Sequence, residues 1–261
     1  QLVRAQHVVL LCDFDGTLAP ISERPETVCL SPRVKGLLEV LAAWPQCTVG
    51  IISGRSLADL KERVAIPGMI LAGNHGLEIE GPGQAFVHPI SEQVVPLFRL
   101  LERVLNKGLA AVKGAFVENK GLTLAVHYRL VEPDREHEVK QLLDRVIGVP
   151  RLLGKVRVTR GKKVYEVRPP VVWDKGKALS HILAHHLRLK RVRKAAVIFL
   201  GDDTTDEDAF LVVNGLRGLS VRVGRDERPT AARYSLDSVQ EVEDFLHRVA
   251  SLEAEVQPWP A

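Results

Sequence analysis

The sequence predicts an α/β protein with a doubly wound parallel sheet of the Rossmann-like kind as its core and an α+β cap domain inserted into it. Three observations lead to this prediction. Short apolar runs alternate with helical patterns near both ends of the 261-residue chain, as is typical of parallel sheets. In the middle of the chain, helices and hairpin-ordered strands replace this alternation. The alternation then returns, so the core is expected to be discontinuous.

The first part of the core is predicted from three apolar runs and two helical patterns. The runs are compact, as expected for strands that are buried on both faces. They are Val8 to Phe14, Thr48 to Ile52 and Met69 to Ala72. Ser31 followed by Pro32 is a typical helix start, and apolar residues at helical spacing follow it. A second, short helix is predicted from Ser56 to Val64.

The middle of the chain predicts an antiparallel sheet with two helices. The predicted helices are Val94 to Leu105 and Asp134 to Val146, and the predicted strands are Ala115 to Glu118, Leu122 to Tyr128, Val156 to Thr159 and Val164 to Val167. Pro169 and Pro170 end this segment. We therefore expect a core domain of residues 1–88 and 170–261 and a cap domain of residues 89–169, with a ligand in the cleft between them.

The last part of the chain predicts the return of the parallel sheet. Its predicted helices are Lys175 to His186, Thr205 to Val213 and Val239 to Leu252, and its predicted strands are Ala195 to Leu200 and Ser220 to Val223. Each strand is followed by a helix, which is the order that places strands parallel in one sheet.

Charge and cysteine content exclude several classes of protein. The 36 basic residues exceed the 32 acidic ones by four, which is too small a surplus to indicate nucleic-acid or membrane binding. Three cysteines without metal-ligand spacing argue against a disulfide framework. No apolar run predicts a membrane span or a signal peptide, so we expect a cytoplasmic protein. The chain begins with Gln1, which leaves open a longer protein before it.

Two aspartates stand where the first predicted strand ends, in the run LLCDFDGTL. Because side chains at i and i+2 of a strand lie on the same side, Asp13 and Asp15 are expected to face one cleft. Gly16 allows a sharp turn after them. Adjacent carboxylates repel each other unless they share a cation or a proton, and Mg²⁺ prefers oxygen ligands. The pattern therefore predicts a magnesium site.

A second acidic cluster follows another predicted strand, in FLGDDTTDEDAF. Asp202, Asp203 and Asp206 precede a helix, so capping residues and first-turn acids of an ordinary helix start are the alternative interpretation. That alternative is weakened by the first cluster, because two strands of one sheet would then both end in clustered acids. We expect both clusters to meet at one metal ion.

Two further segments carry residues suited to a phosphate. Ser53, in IISGR, follows an apolar strand, and its hydroxyl can contact an anion, although Ser-Gly by itself is more often a turn. Lys175, in WDKGKAL, precedes a predicted helix, where its ammonium group can neutralise a phosphate. Lys177 competes for the same role.

Together these segments resemble the haloacid-dehalogenase superfamily of phosphatases, whose four motifs occur here in order as DFDGT, the serine of IISGR, the lysine of DKG, and GDDTTD. The runs GNHGLEI, ENKGLTLAVHYR, YEVRP and GDDTTDEDAF are similar to trehalose-6-phosphate phosphatases of its capped sugar-phosphatase branch. The resemblance covers nearly the whole chain, although Asp174 stands where this family more often has Asn. It implies a magnesium-dependent hydrolase of trehalose biosynthesis that converts trehalose 6-phosphate into trehalose and phosphate through an aspartyl-phosphate.

The resemblance also implies a role for each matching residue. Asp13 would be the nucleophile and Asp15 the general acid and base. The transferring phosphoryl group would be bound by Ser53 and Lys175. The magnesium ligands would be Asp13, the carbonyl oxygen of Asp15, and Asp202, with Asp203 and Asp206 in support. Sugar hydroxyls would be bound by Glu118, Lys120 and Glu166, with Arg55, Asn74, His75, Lys162 and Arg168 as further candidates.

Other functions stay open at this point. A phosphatase for another sugar phosphate, such as mannosyl-3-phosphoglycerate, would share the core and differ in the cap. A non-catalytic phosphatase-like domain of a synthase fusion is disfavoured by the complete set of catalytic residues. The basic run LRLKRVRK lacks interleaved aromatic residues, and His181 and His185 lack an acidic partner for zinc. We therefore expect a small-molecule sugar phosphate as the partner, and no nucleic acid or membrane. The chain would be monomeric, or fused to or associated with a trehalose-phosphate synthase.

Overall fold

The computed structural model describes residues 6–22, 25–161, 163–189 and 194–256. Within these ranges the chain forms two compact units, one drawn from 1–86 and 173–261 and the other from 87–172. These units are defined by contacts inside each of them and not by independent folding. The predicted domains, 1–88 with 170–261 and 89–169, therefore stay a prediction.

The described elements follow each other in the alternating order that the sequence predicts. The strands are β1 (His7–Cys12), β2 (Cys47–Ile52), β3 (Ile70–Gly73), β4 (Glu78–Gly81), β5 (Gln84–Val87), β6 (Phe116–Asn119), β7 (Leu124–His127), β8 (Arg157–Gly161), β9 (Val164–Arg168), β10 (Ala195–Gly201), β11 (Leu219–Val223) and β12 (Tyr234–Leu236). The helices are α1 (Pro32–Ala43), α2 (Leu57–Val64), α3 (Ser91–Leu109), α4 (Glu136–Leu152), α5 (Lys175–Leu189), α6 (Glu207–Gly215) and α7 (Val239–Val256).

The first unit is built on one sheet with the strand order β12-β11-β10-β1-β2-β3-β4-β5. The pairs from β12 to β3 are all parallel, and β4 is antiparallel to β3. Strand β1 lies in the middle, between β10 and β2, so the acidic segments that follow β1 and β10 leave the sheet side by side. The predicted parallel-sheet core is confirmed.

Helices cover both faces of this sheet, and every residue of β1 is buried. Leu10 and Cys12 belong to one buried cluster together with residues of α1, α2 and α7, such as Leu38. Val9 and Leu11 belong to a second cluster with residues of α5 and α6. Alternate side chains of one strand point to opposite faces, so these two clusters show the doubly wound arrangement.

Local signals set the starts of the helices near the site. The hydroxyl of Ser31 accepts a hydrogen bond from the backbone N–H of Val34 at 3.1 Å. Ser56 caps α2 in the same way, accepting from the N–H of Asp59 at 3.2 Å. A serine at this position accepts from a backbone N–H that has no partner within the helix. Both helix starts agree with the prediction.

Three short strands at the ends of the sheet were absent from the sequence prediction. β4 and β5 are separated by only two residues, and they extend the sheet beyond β3. β12 has three residues, none of them buried, and Tyr234 is 56% exposed. Strands at a sheet edge face solvent and lack the apolar runs from which the other strands were predicted.

The second unit contains an antiparallel sheet with the order β6-β7-β9-β8. One face carries Leu124, Val126 and Val167, which are completely buried. The helices α3 and α4 lie in the same unit and carry their own rows of buried apolar residues, including Phe98 and Val139. The predicted α+β composition of this part of the chain is confirmed. Of the helices in the described ranges, none is long and apolar enough to cross a membrane.

Candidate active site

The carboxyl ends of β1 and β10 bring the two acidic segments together. In the register of this pair Cys12 lies opposite Leu200, and the N–H of Asp13 donates to the carbonyl of Leu200 at 2.8 Å. One carboxylate oxygen each from Asp13, Asp202 and Asp206 lies within 4.8 Å of the other two. The two clusters that the sequence analysis joined through a metal ion therefore converge in space.

Lys175, the first residue of α5, points into this acidic cluster. Its ammonium nitrogen lies 2.8 Å from Oδ1 of Asp13 and 2.7 Å from Oδ1 of Asp206. The side chain of Lys175 is only 2% exposed. The competing Lys177 is 45% exposed, with its ammonium 4.0 Å from Asp174. Asp174 also caps α5, because it accepts from the N–H of Lys177 at 2.8 Å. Lys175 is thus the lysine that reaches the cluster.

Asp206 is fully buried, and both of its oxygens accept hydrogen bonds. Oδ1 accepts from Lys175, and Oδ2 accepts from the N–H groups of Asp202 and Asp203 at 3.1 and 2.9 Å. A carboxylate engaged by three donors fixes its neighbours and has little capacity left for a metal ion. Asp13 and Asp202 therefore offer the better ligand oxygens.

The other two predicted metal ligands have different partners for their side chains. Asp203 accepts from the N–H of Thr204 at 2.7 Å and from Arg228 at 3.4 Å, so its carboxylate serves as a helix cap. Both carboxylate oxygens of Asp15 accept from Arg55, each at 2.7 Å. Neither carboxylate belongs to the group of three described above, although the backbone carbonyl of Asp15 remains a candidate ligand.

Burial and charge shift the proton affinity of the central pair. Burial raises the pKa of Asp13 well above its ordinary value; Lys175 opposes this effect, and Asp206 and Asp202 add to it. Burial works against the charge of Lys175, but Asp13 and Asp206 outweigh it and raise the pKa of the lysine. The site therefore has more buried negative charge than one ammonium group neutralises. A divalent cation would correct this imbalance.

The Ser53 segment lies at the same edge of the sheet, because it follows β2, the neighbour of β1. Ser53 is 1% exposed, and its hydroxyl accepts from the N–H of Arg55 at 3.3 Å. The segment after β3 packs beside it: the N–H of His75 donates to the carbonyl of Ser53 at 2.8 Å, and that of Asn74 donates to the carbonyl of Arg55 at 2.7 Å. These bonds fix the backbone around the predicted phosphate-binding serine.

Asn74 and His75 adopt a backbone conformation that is uncommon for residues with side chains. Their φ angles are 51° and 58°, and that of Gly76 is 90°. The side chain of Asn74 is completely buried and donates to Glu78 at 2.8 Å. Conformations of this kind persist only where the surrounding structure enforces them, and they concentrate at functional sites.

In the second unit, most of the predicted sugar-binding residues share one face of the sheet. Glu118 and Glu166 lie in one row of the register, on either side of Ala125. Lys120 lies 3.3 Å from Glu166. Arg168 is two residues after Glu166 on the same strand and therefore faces the same side. Lys162, also predicted to bind the sugar, lies outside the described residues.

Three residues that contact predicted site residues within their own unit, directly or through one another, were not identified from the sequence. His127 is within 2.8 Å of Glu118, and the ring of Phe116 stacks on it. The contact between His127 and Glu118 depends on the register of β6 and β7, which the sequence does not give. Asp59 and Arg63 join Arg55 through ion pairs along α2. The spacing of four between Arg55, Asp59 and Arg63 was the available signal, since such residues meet on one face of a helix.

Comparison with known proteins places this geometry in a family. The sequence model of the family described as "Trehalose-phosphatase" matches residues 11–240. The chain therefore belongs to the trehalose-phosphatase family. Among curated members, a trehalose-phosphate phosphatase of Mycobacterium marinum is 38% identical over 92% of this chain and 60% of its own length. A probable trehalose-phosphate phosphatase D of Arabidopsis thaliana is 32% identical over 94% of this chain and 68% of its own length.

Solved structures of this family have the same fold. The C-terminal domain of the C. albicans trehalose-6-phosphate phosphatase superposes with a TM-score of 0.80 at 25% identity, over 95% of this chain and 94% of that one. The resemblance inferred from the motifs is thus confirmed, as is the α/β class. The chain spans about 60% of the length of the mycobacterial relative.

Proposed function

We propose that this chain carries the catalytic part of a magnesium-dependent phosphatase that hydrolyses trehalose 6-phosphate to trehalose and phosphate, through an aspartyl-phosphate on Asp13. One observation carries the proposal: Asp13, Asp202 and the buried ammonium of Lys175 meet at the carboxyl end of the parallel sheet. Transfer of a phosphoryl group requires an aligned nucleophile and positive charge around the phosphoryl oxygens. Membership of the trehalose-phosphatase family supports the choice of substrate.

The residues present fit a magnesium ion. All the available donors are oxygens, which is what Mg²⁺ requires, and it usually binds through one or two carboxylates together with the phosphate of its substrate. Asp13 and Asp202 would hold it, with the carbonyl oxygen of Asp15 as a third ligand. Asp206 and Asp203 would support this site through hydrogen bonds to the backbone and to Lys175. When bound, the ion neutralises charge on the phosphoryl oxygens.

The proposed reaction uses the side chains in two steps. In the first, an oxygen of Asp13 attacks phosphorus, the bond from phosphorus to the sugar oxygen breaks, and Asp15 gives a proton to that oxygen. In the second, water attacks the phosphorus of the aspartyl-phosphate and gives a proton to Asp15, while the bond from phosphorus to the Asp13 oxygen breaks. This step releases phosphate and restores Asp13. Lys175 neutralises the phosphoryl oxygens, and Ser53 donates a hydrogen bond to them.

We propose that the second unit is the cap and that its polar sheet face binds the sugar. Glu118, Lys120 and Glu166 lie on one face, and Glu166 and Lys120 are mostly buried, with side chains 16% and 12% exposed. Charged groups in such surroundings make strong hydrogen bonds to hydroxyl groups. Arg55, Asn74, His75, Lys162 and Arg168 remain further candidates. A cytoplasmic location and a fused or associated synthase also remain predictions.

A substrate panel tests the proposal. Phosphate release is measured with trehalose 6-phosphate, other sugar phosphates and mannosyl-3-phosphoglycerate, with Mg²⁺ and with a chelator, for wild type and for Asp13→Asn. We expect turnover of trehalose 6-phosphate by wild type only when Mg²⁺ is present, and near-complete loss in the folded variant. Equal or better turnover of another sugar phosphate would show that trehalose 6-phosphate is not the preferred substrate. A folded wild type without activity on any of them would indicate a non-catalytic domain.

A further inference from the structure

A chain of ion pairs runs along α2 and ends on Asp15. Arg55 donates from Nε and Nη2 to the two carboxylate oxygens of Asp15, each at 2.7 Å. Its third nitrogen, Nη1, donates to Oδ2 of Asp59 at 2.7 Å. Arg63 in turn donates to both oxygens of Asp59 at 2.8 Å. Positive and negative groups thus alternate over four residues that all belong to the first unit.

The orientation of Arg55 depends on partners on several sides. Its side chain is 8% exposed, and its guanidinium carbon lies 5.2 Å from the centre of the Phe14 ring. Two parallel bonds from a guanidinium to a carboxylate fix the plane of that carboxylate as well as its position. Because the guanidinium is itself planar and rigid, whatever orients Arg55 also orients Asp15.

Asp59 is the residue that orients Arg55 from the opposite end. Burial alone would raise the pKa of Asp59, but hydrogen bonds from Arg63 and Arg55 outweigh it and keep the pKa below its ordinary value of 3.8. The carboxylate is therefore ionised at neutral pH. Its backbone N–H is bonded to the Ser56 hydroxyl that caps α2, so Asp59 stands on a fixed helix start.

Arg63 extends the chain of ion pairs to the backbone that follows the Asp15 segment. It donates from Nη1 to the carbonyl oxygens of Glu26 and Val28 at 3.0 and 2.6 Å. Its side chain is 15% exposed. Both ends of the chain of pairs are thus anchored, one to the carboxylate of Asp15 and the other to main-chain oxygens.

We infer that Asp59 and Arg63 are positioning residues that act through Arg55 to hold the Asp15 carboxylate in the orientation needed for proton transfer. The inference rests on the proposed function, in which Asp15 gives a proton to the departing sugar oxygen. One of the two bonds from Arg55 opens for this step, because the oxygen that carries the proton becomes a donor towards the substrate, while the other bond keeps Asp15 in place. Loss of Asp59 leaves the far side of the guanidinium without its carboxylate partner, so that Arg55 can rotate and take Asp15 with it. Proton transfer is sensitive to such a displacement, since an error of 1 Å can lower a rate about 100-fold.

Two substrates distinguish this role from a general structural one. Trehalose 6-phosphate has a poor leaving group that needs the proton of Asp15, whereas p-nitrophenyl phosphate releases a stabilised phenolate that needs it far less. The ratio kcat/KM reports the first phosphoryl transfer in both cases. For Asp59→Asn we expect a loss of about 10- to 100-fold with trehalose 6-phosphate, mainly in kcat, and a much smaller loss with p-nitrophenyl phosphate. Asp59→Glu, which keeps the charge, should recover most of the loss.

Lys61→Met is the matched control. Lys61 lies on the same helix, and its ion pair with Glu80, at 2.6 Å, is exposed on both sides. Removing it should leave kcat/KM for both substrates unchanged. Thermal unfolding of each variant shows whether the fold is retained.

Three outcomes would count against the inference. An active wild type with an unchanged Asp59→Asn variant would overturn the positioning role alone. Equal losses with both substrates, or no recovery in Asp59→Glu, would assign Asp59 to the fold instead. A folded wild type that hydrolyses neither substrate would overturn the proposed function, and this inference with it.

Discussion

The carboxylate of Asp202 lies directly against the α-carbon of Gly16. A β-carbon on Gly16 would lie 2.2 Å from Oδ2 of Asp202, and the φ angle of Gly16 is +83°. The two acidic segments can approach each other only because one of them has no side chain at this point. The glycine of DFDGT is therefore part of the geometry of the acidic cluster as well as of the turn.

Gly16→Ala should separate the two acidic segments. The new methyl group has to displace the Asp202 carboxylate, and a left-handed conformation costs a residue with a side chain about 1–2 kcal/mol. We expect a lower melting temperature, loss of the stabilisation by Mg²⁺, and loss of phosphatase activity. Thermal unfolding with and without Mg²⁺ measures the first two effects, and phosphate release measures the third.

Gly36→Ala provides the control for this substitution. Gly36 lies inside α1, and a β-carbon there meets no atom within 4 Å. Because alanine is the better helix former, the variant should be more stable by about 0.5–1 kcal/mol. Its response to Mg²⁺ and its activity should equal those of wild type. An active Gly16→Ala that still responds to Mg²⁺ would contradict the account of the Asp202 contact.

Asp206→Asn should destabilise the protein more than its loss of one charge suggests. Asp206 accepts from Lys175 and from two backbone N–H groups in a fully buried position. Lys175 keeps its ion pair with Asp13 in this variant, so the loss comes from the hydrogen bonds. The amide nitrogen of Asn cannot accept, and each buried donor left unsatisfied costs about 1–3 kcal/mol. Urea unfolding measures the loss. Asp144→Asn, which breaks an exposed pair with Lys140, should have little effect; equal effects of the two substitutions would contradict the structural role of Asp206.

Much of this site was predictable because its chemistry sits at the ends of apolar strands. Asp13 and Asp202 follow β1 and β10, and neighbouring parallel strands necessarily bring their carboxyl ends together. The separate tasks of Asp206 and Asp203 were not predictable. Whether a carboxylate accepts from Lys175 or caps a helix depends on its rotamer and on three-dimensional neighbours, which spacing along the chain does not determine.

The role of Arg55 shows the same limit from another direction. The family resemblance made it a further candidate for sugar binding, which stays a prediction, and in the structure its guanidinium pairs with Asp15 and Asp59. The pairing with Asp15 joins residues 40 positions apart, so no local pattern contains it. The edge strands β4, β5 and β12 were missed for a different reason, since they lack the apolar runs that mark a buried strand.

Asp13→Asn should change the pH dependence of stability when Mg²⁺ is removed with a chelator. The pKa of Asp13 is raised in the folded state above its ordinary value of 3.8. Its contribution is therefore fully present below that value and is lost as the pH rises through the higher pKa of the folded protein. We expect wild type to lose stability over this interval relative to Asp13→Asn. Urea midpoints over a pH series measure the difference, and a constant difference would contradict the raised pKa.

Glu166→Gln should test whether the polar face of the second unit binds the sugar. The substitution keeps the shape of the side chain, removes its charge and breaks the pair with Lys120. A hydrogen bond to a charged group is worth about 1.5–3 kcal/mol, so KM for trehalose 6-phosphate should rise by about 10- to 100-fold while kcat changes far less. The effect should be absent with p-nitrophenyl phosphate, which has no sugar. Steady-state kinetics with both substrates measures this split.

Glu138→Gln is the control in the same unit, because Glu138 pairs with Arg135 three residues away and both side chains are exposed. This variant should bind both substrates as wild type does. An unchanged KM for trehalose 6-phosphate in Glu166→Gln would contradict sugar binding by this face. Glu166 and Glu118 would then stabilise their own sheet through Lys120 and His127, and the core residues Asn74 and His75 would be the remaining candidates for sugar recognition.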